Sequence, residues 1–250
     1  MPDIITLNKL AVILNVDLNY FSEKFEPLNQ EAVLKSDETI TENHKNQLSW
    51  NMSNGNWVDA DFSGLKSLHE KFSSSNMKNC KFVDSDLSGL RLQGNHIDNC
   101  DFSNSDISCS KIQSSHLVKN DFKNCSLEES EFLVSHITDC DFTSADFTGV
   151  KFKTSHFANN LIGSTICNQI AFTGTSLDNI IFEGTIENCS FENCGFRKVK
   201  FQNTVLLNTF FKNNEKLKQV QFIDCKVDKL TYAFLQNGKA NLSGVILITT

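Results

Sequence analysis

The sequence lacks the long apolar run of a membrane-spanning helix and the basic excess of a nucleic-acid-binding domain. No stretch approaches the roughly 20 apolar residues that a span requires. The formal net charge is −7, with residues 1–56 at −4 and the remainder at −3. Because nucleic-acid-binding surfaces are rich in lysine and arginine, neither part is expected to bind DNA directly. We also expect no association with a membrane.

The amino terminus lacks the features of a secretory signal peptide. Asp3 stands where such a signal is basic, and the apolar stretch at residues 10–16 is short and interrupted. Nine cysteines in a chain without a signal favour reduced thiols. A cytoplasmic protein is therefore expected.

Motifs that carry catalysis are also missing. The sequence has no CxxC pair, no phosphate-binding glycine loop, no paired-carboxylate pocket and no recognisable Ser/His/Asp arrangement. We therefore expect no enzymatic activity, no metal site and no cofactor.

Phenylalanine, in contrast, is abundant, with 21 residues against two tyrosines and two tryptophans. Large apolar residues recur at nearly every fifth position from 62 to 182, as in Phe82, Leu87, Leu92 and Ile97. A step of five circles the axis of an α-helix and alternates between the faces of a strand, so neither element keeps one apolar face. The chain must therefore bend once per five residues, with each central side chain pointing inward.

The residue two positions before each centre is small, which predicts a tight interior corner. Seven of the nine cysteines occupy this position, where they serve as small buried hydrophobes: Cys80, Cys100, Cys125, Cys140, Cys189, Cys194 and Cys225. Cys80 and Cys100 would lie one coil apart, within disulfide reach. A reducing compartment nevertheless favours free thiols.

The outward residue just before each centre indicates how many sides the coil has. Histidines, aspartates and basic residues each recur at intervals of 20. The columns are His96, His116, His136 and His156; Asp101, Asp121 and Asp141; Asp86, Asp106 and Asp146; and Lys71, Arg91, Lys111 and Lys151, interrupted by Glu131. A three-sided coil of 15 residues would not order these columns. Four sides of five residues each explain all of them.

Units such as CDFSN, ADFTG and ANLSG resemble the pentapeptide-repeat family. The resemblance covers roughly residues 56–250. It implies an all-β solenoid, a right-handed four-sided β-helix of roughly nine and a half coils and on the order of 45 Å in length at strand spacing. Some members of the family bind DNA gyrase as mimics of duplex DNA, and some form dimers through their carboxyl-terminal ends.

Residues 1–25 are predicted to form a helical segment, because Leu7, Leu10 and Leu14 have helical spacing. The segment resembles the carboxyl-terminal part of an Xre/Cro-like helix-turn-helix domain, whose recognition helix would lie upstream of Met1. Either the numbering starts inside a longer protein, or the segment is a remnant that no longer reads DNA, or it is a helical cap. Residues 26–55 are expected to be a linker, with Trp50 capping the first coil.

Interruptions of the repeat are the places where function is expected first. Ser67 and Cys167 occupy central positions, and Ile186 fills a centre where the spacing shortens by one residue. Between Phe211 and Phe222 the spacing is eleven, so an outward bulge is expected there; it contributes Lys212, Glu215, Lys216 and Lys218 to a candidate interaction surface. The apolar end, Val245, Ile246, Leu247 and Ile248, is expected either to cap the last coil or to pair in a homodimer.

The columns His96–His116–His136–His156 and Asp101–Asp121–Asp141 complete the candidate interaction surface. Stacked imidazoles could bind a metal or respond to pH, but a parallel ladder lacks the convergent ligands of a metal site. Three functions stay open. They are a non-enzymatic scaffold that binds a protein partner, a DNA-mimicking topoisomerase protector or inhibitor, and a transcriptional regulator with the rod as sensory or oligomerising part. The net charge of −3 and the basic column disfavour a full DNA mimic.

Overall fold

The structure is a computed structural model that describes residues 52–248, apart from 67 and 69–71. The expected helical segment at 1–25, the residues of the linker before 52 and the predicted cap at Trp50 lie outside the described residues. In the described part, none of the helices has the length and apolar character needed to cross a bilayer.

The described chain winds into an all-β right-handed solenoid of about nine turns, as the repeat predicts. Two of its sides are parallel sheets, and the early coils of the other two sides are joined by single bridges that give way to a third parallel sheet in the later coils. Each side is named here after an outward residue.

The His face is an eight-stranded sheet. Its strands are β1 (Asn56–Val58), β2 (Asn76–Lys78), β4 (His96–Asp98), β6 (His116–Val118), β8 (His136–Thr138), β10 (His156–Ala158), β13 (Ser176–Asp178) and β16 (Gly195–Arg197). The opposite sheet forms the Asp106 face in its later coils, with β11 (Cys167–Asn168), β20 (Cys225–Val227) and β21 (Val245–Leu247). Its earlier coils are joined by the bridges Asp86–Asp106–Ser126–Asp146–Ile166.

The other two sides complete each turn. The Asp101 face is bridged through Asp61, Lys81, Asp101, Asp121, Asp141 and Leu161, and later includes β19 (Gln221–Ile223). Two long strands, β14 (Ile181–Glu187) and β17 (Lys200–Leu207), run from the Asp101 face onto the Asp106 face. The Lys/Glu face consists of β3 (Arg91–Gln93), β5 (Lys111–Gln113), β7 (Glu131–Leu133), β9 (Lys151–Lys153), β12 (Ala171–Thr173), β15 (Ser190–Glu192) and β18 (Phe210–Lys212).

The corners between sides explain why asparagine and serine are so frequent. The chain turns at a residue with left-handed backbone geometry two positions after each centre, as at Asn99 (φ 54°) and Asn104 (φ 60°). Asparagine tolerates this geometry better than most side chains. The Asn99 amide also donates to the Asn79 side-chain oxygen of the previous coil at 2.9 Å. Asparagine therefore both forms the corner and ties neighbouring coils together.

The interior is a ladder of stacked rings. Phe82, Phe102, Phe122 and Phe142 stack at centroid distances of 4.7 to 4.9 Å and within 8° of parallel. Offset stacking at such distances adds to the hydrophobic gain of burial. The small corner residues are buried too, and they hydrogen-bond to the backbone, as Ser130 Oγ does to the Ile107 carbonyl at 2.8 Å. The predicted inward centres and interior corners are confirmed.

Two irregularities keep the interior filled. Ile186 is buried at a centre, as expected, and the residue lost from its coil is absorbed at Gly184, which has φ +79°. The prediction of an outward bulge between Phe211 and Phe222 is wrong. Leu217 is buried at the interior centre and begins a short 3-10 helix, Leu217–Gln219, so the extra residue is absorbed in the turn before it.

The carboxyl-terminal end departs from the expected repeat at Tyr232, because a helix forms there instead. This helix, α1 (Lys229–Asn237), begins at Asp228, whose carboxylate accepts from the backbone N–H groups of Thr231 (2.8 Å) and Asn208 (2.9 Å). Capping by aspartate favours a helix start. Buried Leu235 then fills the interior, three residues beyond the position that the repeat would use.

We predict that Phe142→Ala destabilises the rod by about 3–5 kcal/mol, because it leaves a cavity in a fully buried ladder. Val58→Ala is the control, since Val58 is exposed on strand β1. Denaturant unfolding measures both variants. A loss below about 1 kcal/mol for Phe142→Ala, within the range of a surface substitution, would contradict the packing described here.

Candidate interaction surfaces

The His face carries a continuous column of imidazoles. The strands β4, β6, β8 and β10 pair in register, so His96, His116, His136 and His156 lie side by side. The rings of His116 and His136 stack at 4.8 Å and are nearly parallel, whereas the outer pairs are tilted at 6.2 and 5.9 Å. Within the described residues, no group of three or more metal-binding side chains could hold an ion.

The environment of His136 disfavours its charged form. Partial burial lowers the pKa of its imidazole, and the neighbouring His116 and His156 lower it further by repulsion. The folded chain therefore holds fewer protons at this site than the unfolded chain at pH values just below the ordinary histidine pKa of 6.5.

We predict that the melting temperature falls as the pH decreases through about 6.5, because the unfolded state takes up the proton more readily. The control is His136→Gln, which removes the central ring and leaves a polar side chain. Thermal unfolding between pH 7.5 and 5.0 should show a smaller fall in this variant. Identical pH profiles for the two chains would refute the effect of the column.

The aspartates of the Asp101 face brace the turns beside them. Asp101, Asp121 and Asp141 each accept a hydrogen bond of 2.9 Å from the backbone N–H two residues on. The Lys123 ammonium also contacts the carboxylates of Asp121 and Asp141 at 2.6 and 3.1 Å. Burial opposes ionisation of Asp141, but hydrogen bonds from Thr143 and Lys123 outweigh it and lower its pKa. This column is therefore partly structural and partly neutralised.

The carboxylates of the Asp106 face are neutralised less than those of the Asp101 face. Asp146 accepts from the Thr148 backbone at 2.8 Å. Over the described ranges, no lysine or arginine forms an ion pair with Asp106 or Asp146. These two carboxylates are therefore available to an external cation.

The Lys/Glu face explains why Glu131 interrupts the basic column. Its carboxylate lies 3.8 Å from the Lys111 ammonium and forms a shorter ion pair with Lys153. The hydrogen bond from Lys153 is the main cause of its lowered pKa. Glu129 pairs with Lys151 at 3.4 Å. Because the lysine side chains are 44% to 46% exposed, the ladder contributes little to stability and mainly neutralises this face.

The candidate residues near the carboxyl end are exposed but are not brought into one cluster. Lys212 closes β18 on the Lys/Glu face, whereas Glu215 bridges to Gly195 on the His face. Lys216 and Lys218 flank and join the 3-10 helix whose Leu217 points inward. They surround an interior residue instead of forming a loop tip.

The apolar end forms a strand with an open edge. β21 contains Val245, Ile246 and Leu247, pairs with β20 and is the last strand of its sheet; Ile248 follows it and donates to the Val227 carbonyl at 2.8 Å. Leu247 stands above Val227, a buried interior residue, yet it is 45% exposed. In the described part of the chain, no further coil covers it. The strand continues the rod, and among the described residues no strand pairs with its outer side.

The cysteines are free thiols, and all but Cys109 are buried. Burial raises the pKa of Cys125, Cys140 and Cys167 to about 12. Such thiols are poor nucleophiles and poor metal ligands at neutral pH. Their role in the structure is to fill the interior.

One surface is missed by reasoning from sequence alone. Outward aspartates at 141 and 146 are followed one coil later by Leu161 and Ile166, and Ile181 follows in the next coil. These three aliphatic side chains are 61%, 53% and 46% exposed. The signal that could have found them is the 20-residue column itself, read for where it changes from acidic to apolar.

Comparison with known proteins finds a family match over part of the rod. Residues 71–108 and 121–153 match the family model for pentapeptide repeats, in eight copies. Among solved structures, the chain is similar to QnrB1, a plasmid-mediated fluoroquinolone resistance protein, at 17% identity over 78% of this chain and 92% of that one, with a TM-score of 0.41. It is also similar to HetL, involved in heterocyst differentiation regulation in the cyanobacterium Nostoc sp., at 15% identity over 68% and 88%, with a TM-score of 0.37. Among curated proteins, none matches the chain.

Proposed function

Starting from a chain that carries pentapeptide repeats over residues 71–108 and 121–153, we propose that its solenoid is a non-enzymatic scaffold for a protein partner. The observation that carries the proposal is the set of outward columns, which place histidine on one side, lysine with glutamate on another and aspartate on the other two, and which are held in register by backbone hydrogen bonds between coils. Because the interior centres are filled by buried side chains, the surface that a partner can contact is the outer one.

The size of a face indicates how such a partner would bind. Eight strands at about 4.8 Å spacing and three residues in width give a flat area of roughly 350 Å². A stable interface buries about 800 Å² on each partner. A partner would therefore have to contact two adjacent faces and the corner between them.

We predict that a photo-crosslinking amino acid captures the partner from two adjacent faces only. Four full-length variants carry it at the outward positions Lys81, Ser126, Ala171 and Ser176, one on each face. After irradiation in cells, adducts are identified by mass spectrometry. Absence of any specific adduct, or the same adducts from all four faces, would overturn the scaffold proposal.

A second candidate is DNA-mimicking protection or inhibition of a topoisomerase such as DNA gyrase. It is favoured by the charge of one part of the rod, since residues 52–150 carry 15 acidic and eight basic side chains. Residues 151–250 carry seven acidic and eleven basic side chains, so the mimicry would be confined to the first part. Gyrase supercoiling with and without a fluoroquinolone distinguishes this candidate from a general scaffold.

The third candidate, a transcriptional regulator, depends on residues 1–25, which lie outside the described residues. It stays a prediction and requires DNA binding by the chain or by a longer form of it.

The free thiols support the expected reducing, cytoplasmic location for all three candidate functions.

The open carboxyl-terminal edge supports a homodimer as a further part of the proposal. A second copy would cover the exposed interior residue Leu247 and pair the free side of β21. We predict that Leu247→Lys converts a dimer to a monomer, whereas Val58→Lys, at an exposed valine in the first described coil, leaves the dimer intact. Light scattering after gel filtration measures the mass; a chain that is monomeric at every concentration would contradict the dimer.

A further inference from the structure

We propose that the step from aspartate to aliphatic residues on the Asp101 and Asp106 faces is a docking site for a protein segment with apolar side chains next to lysine or arginine. This surface, the aliphatic step, comprises Leu161, Ile166 and Ile181 with the preceding Asp141 and Asp146. The inference rests on the proposed scaffold function and names the chemistry of its partner.

The register places the aliphatic side chains together. Leu161 bridges to Asp141 and Ile166 bridges to Asp146, so each aliphatic residue lies one coil beyond an aspartate on the same face. Leu161 and Ile166 are five residues apart in one coil and therefore lie on adjacent faces. Ile181 begins β14 in the next coil of the Asp101 face. The step thus spans the corner between the two faces, which is what a partner contacting two faces requires.

A groove beside these residues provides a place for an inserted side chain. It has a volume of about 350 Å³, and its lining includes Leu161, Ile181, Gly163 and Glu183. One wall is fixed by a hydrogen bond of 2.9 Å from the Asn179 amide to the Asn159 side-chain oxygen. The groove therefore has an apolar floor and a wall that is already ordered.

The irregular corner next to the groove leaves it accessible. The coil that contains Ile181 is one residue short, and its register shifts between Phe182 and Gly184. A side chain at Gly184 would meet no heavy atom within 4 Å, so this corner is open. A lone exposed aliphatic residue is ordinary on a protein surface. Here two of the three line an open, ordered groove, and Ile166 lies on the adjacent face of the same coil as Leu161, which marks a binding surface instead.

The charge around the aliphatic step selects the partner. Residues 101–150 carry nine acidic and three basic side chains. Asp146 and Asp106, in the described part of the rod, have no cationic partner, and Asp141 shares Lys123 with Asp121. An acidic partner or a nucleic acid would be repelled here, whereas lysine or arginine would be attracted.

The spacing of the coils sets the length of the bound segment. Asp101 and Ile181 are four coils apart, which is about 19 Å along the rod at strand spacing. That distance corresponds to about six residues of extended chain or about 13 residues of helix. The apolar side chains would lie over Leu161 and Ile181, and the basic ones over the aspartates of the earlier coils.

The test begins with a displayed library of random 16-residue peptides selected on the full-length chain. Enriched peptides are synthesised with a fluorophore, and their affinity is measured by polarisation. We expect enrichment of sequences that combine two or more apolar residues with two or more lysines or arginines. Failure to enrich any peptide, or enrichment of peptides without basic residues, would overturn the proposal.

Matched variants locate the binding. Leu161→Asp with Ile181→Asp should weaken binding at least tenfold. Aspartate already holds the equivalent outward positions at 121 and 141, so the fold accommodates it. The control Val134→Asp changes another exposed aliphatic residue and should alter affinity less than twofold. Unaltered affinity of the double variant would overturn the location, and Leu161→Asn serves the same purpose if the double variant unfolds.

The charge contribution is separated by a second pair. Asp146→Asn should weaken binding about threefold and reduce its salt dependence, whereas Glu192→Gln, which removes a carboxylate from the Lys/Glu face, should not. Equal effects of the two would contradict charge recognition at the step.

Two further results distinguish this site from the scaffold proposal. Photo-adducts confined to the His and Lys/Glu faces would overturn the docking site and leave the scaffold standing. Sedimentation of the chain alone tests a second copy as the occupant. A dimer that is lost in the double variant would show self-association and overturn the proposed partner.

Discussion

The structure depends on one constraint, which is that every coil must be hydrogen-bonded to the coil 20 residues away. Phe102 N–H donates to the Asp121 carbonyl at 2.7 Å, and Asp121 N–H donates to the Cys100 carbonyl at 2.9 Å. Stacking at strand spacing brings equivalent side chains within contact of each other. The interior rings therefore form a continuous ladder, and a coil without its neighbours would leave its interior exposed.

The same constraint determines what the outer surface can do. Each outward position is followed, one coil further along the rod, by the equivalent position of the next coil. Outward side chains of the same or of different kinds are therefore arranged in columns. Where a column stays the same, as with His116 and His136, the rings stack and repel each other on protonation. Where it changes, as from Asp141 to Leu161, a border between acidic and apolar surface arises. Function on such a rod is expected at the borders and at the ends.

The four-sided coil can be predicted from sequence because inward and outward residues both follow the period of 20. Helix α1 cannot, because Tyr232 continues the spacing while the cap at Asp228 and the buried Leu235 favour a helix instead. The position of the extra residue in the turn before Leu217 cannot be predicted either. A spacing of eleven between Phe211 and Phe222 fits an outward loop as well as a tight turn. The 20-residue period already aligns Ile166 with Asp146 in the sequence, but the exposure of the aliphatic side chains and the groove beside Leu161 and Ile181 are visible only in the structure.

Deletion of one whole coil, compared with deletion of one side, tests the central claim most directly. Removing residues 121–140 keeps every column in phase, so the shortened chain should unfold cooperatively with only a modestly lower denaturant midpoint. Removing residues 121–125 takes away a quarter as many residues but leaves a coil with three sides, which cannot hydrogen-bond to both neighbours. Its midpoint should be much lower. A midpoint for the five-residue deletion equal to or above that of the 20-residue deletion would contradict stacking in register as the basis of this fold.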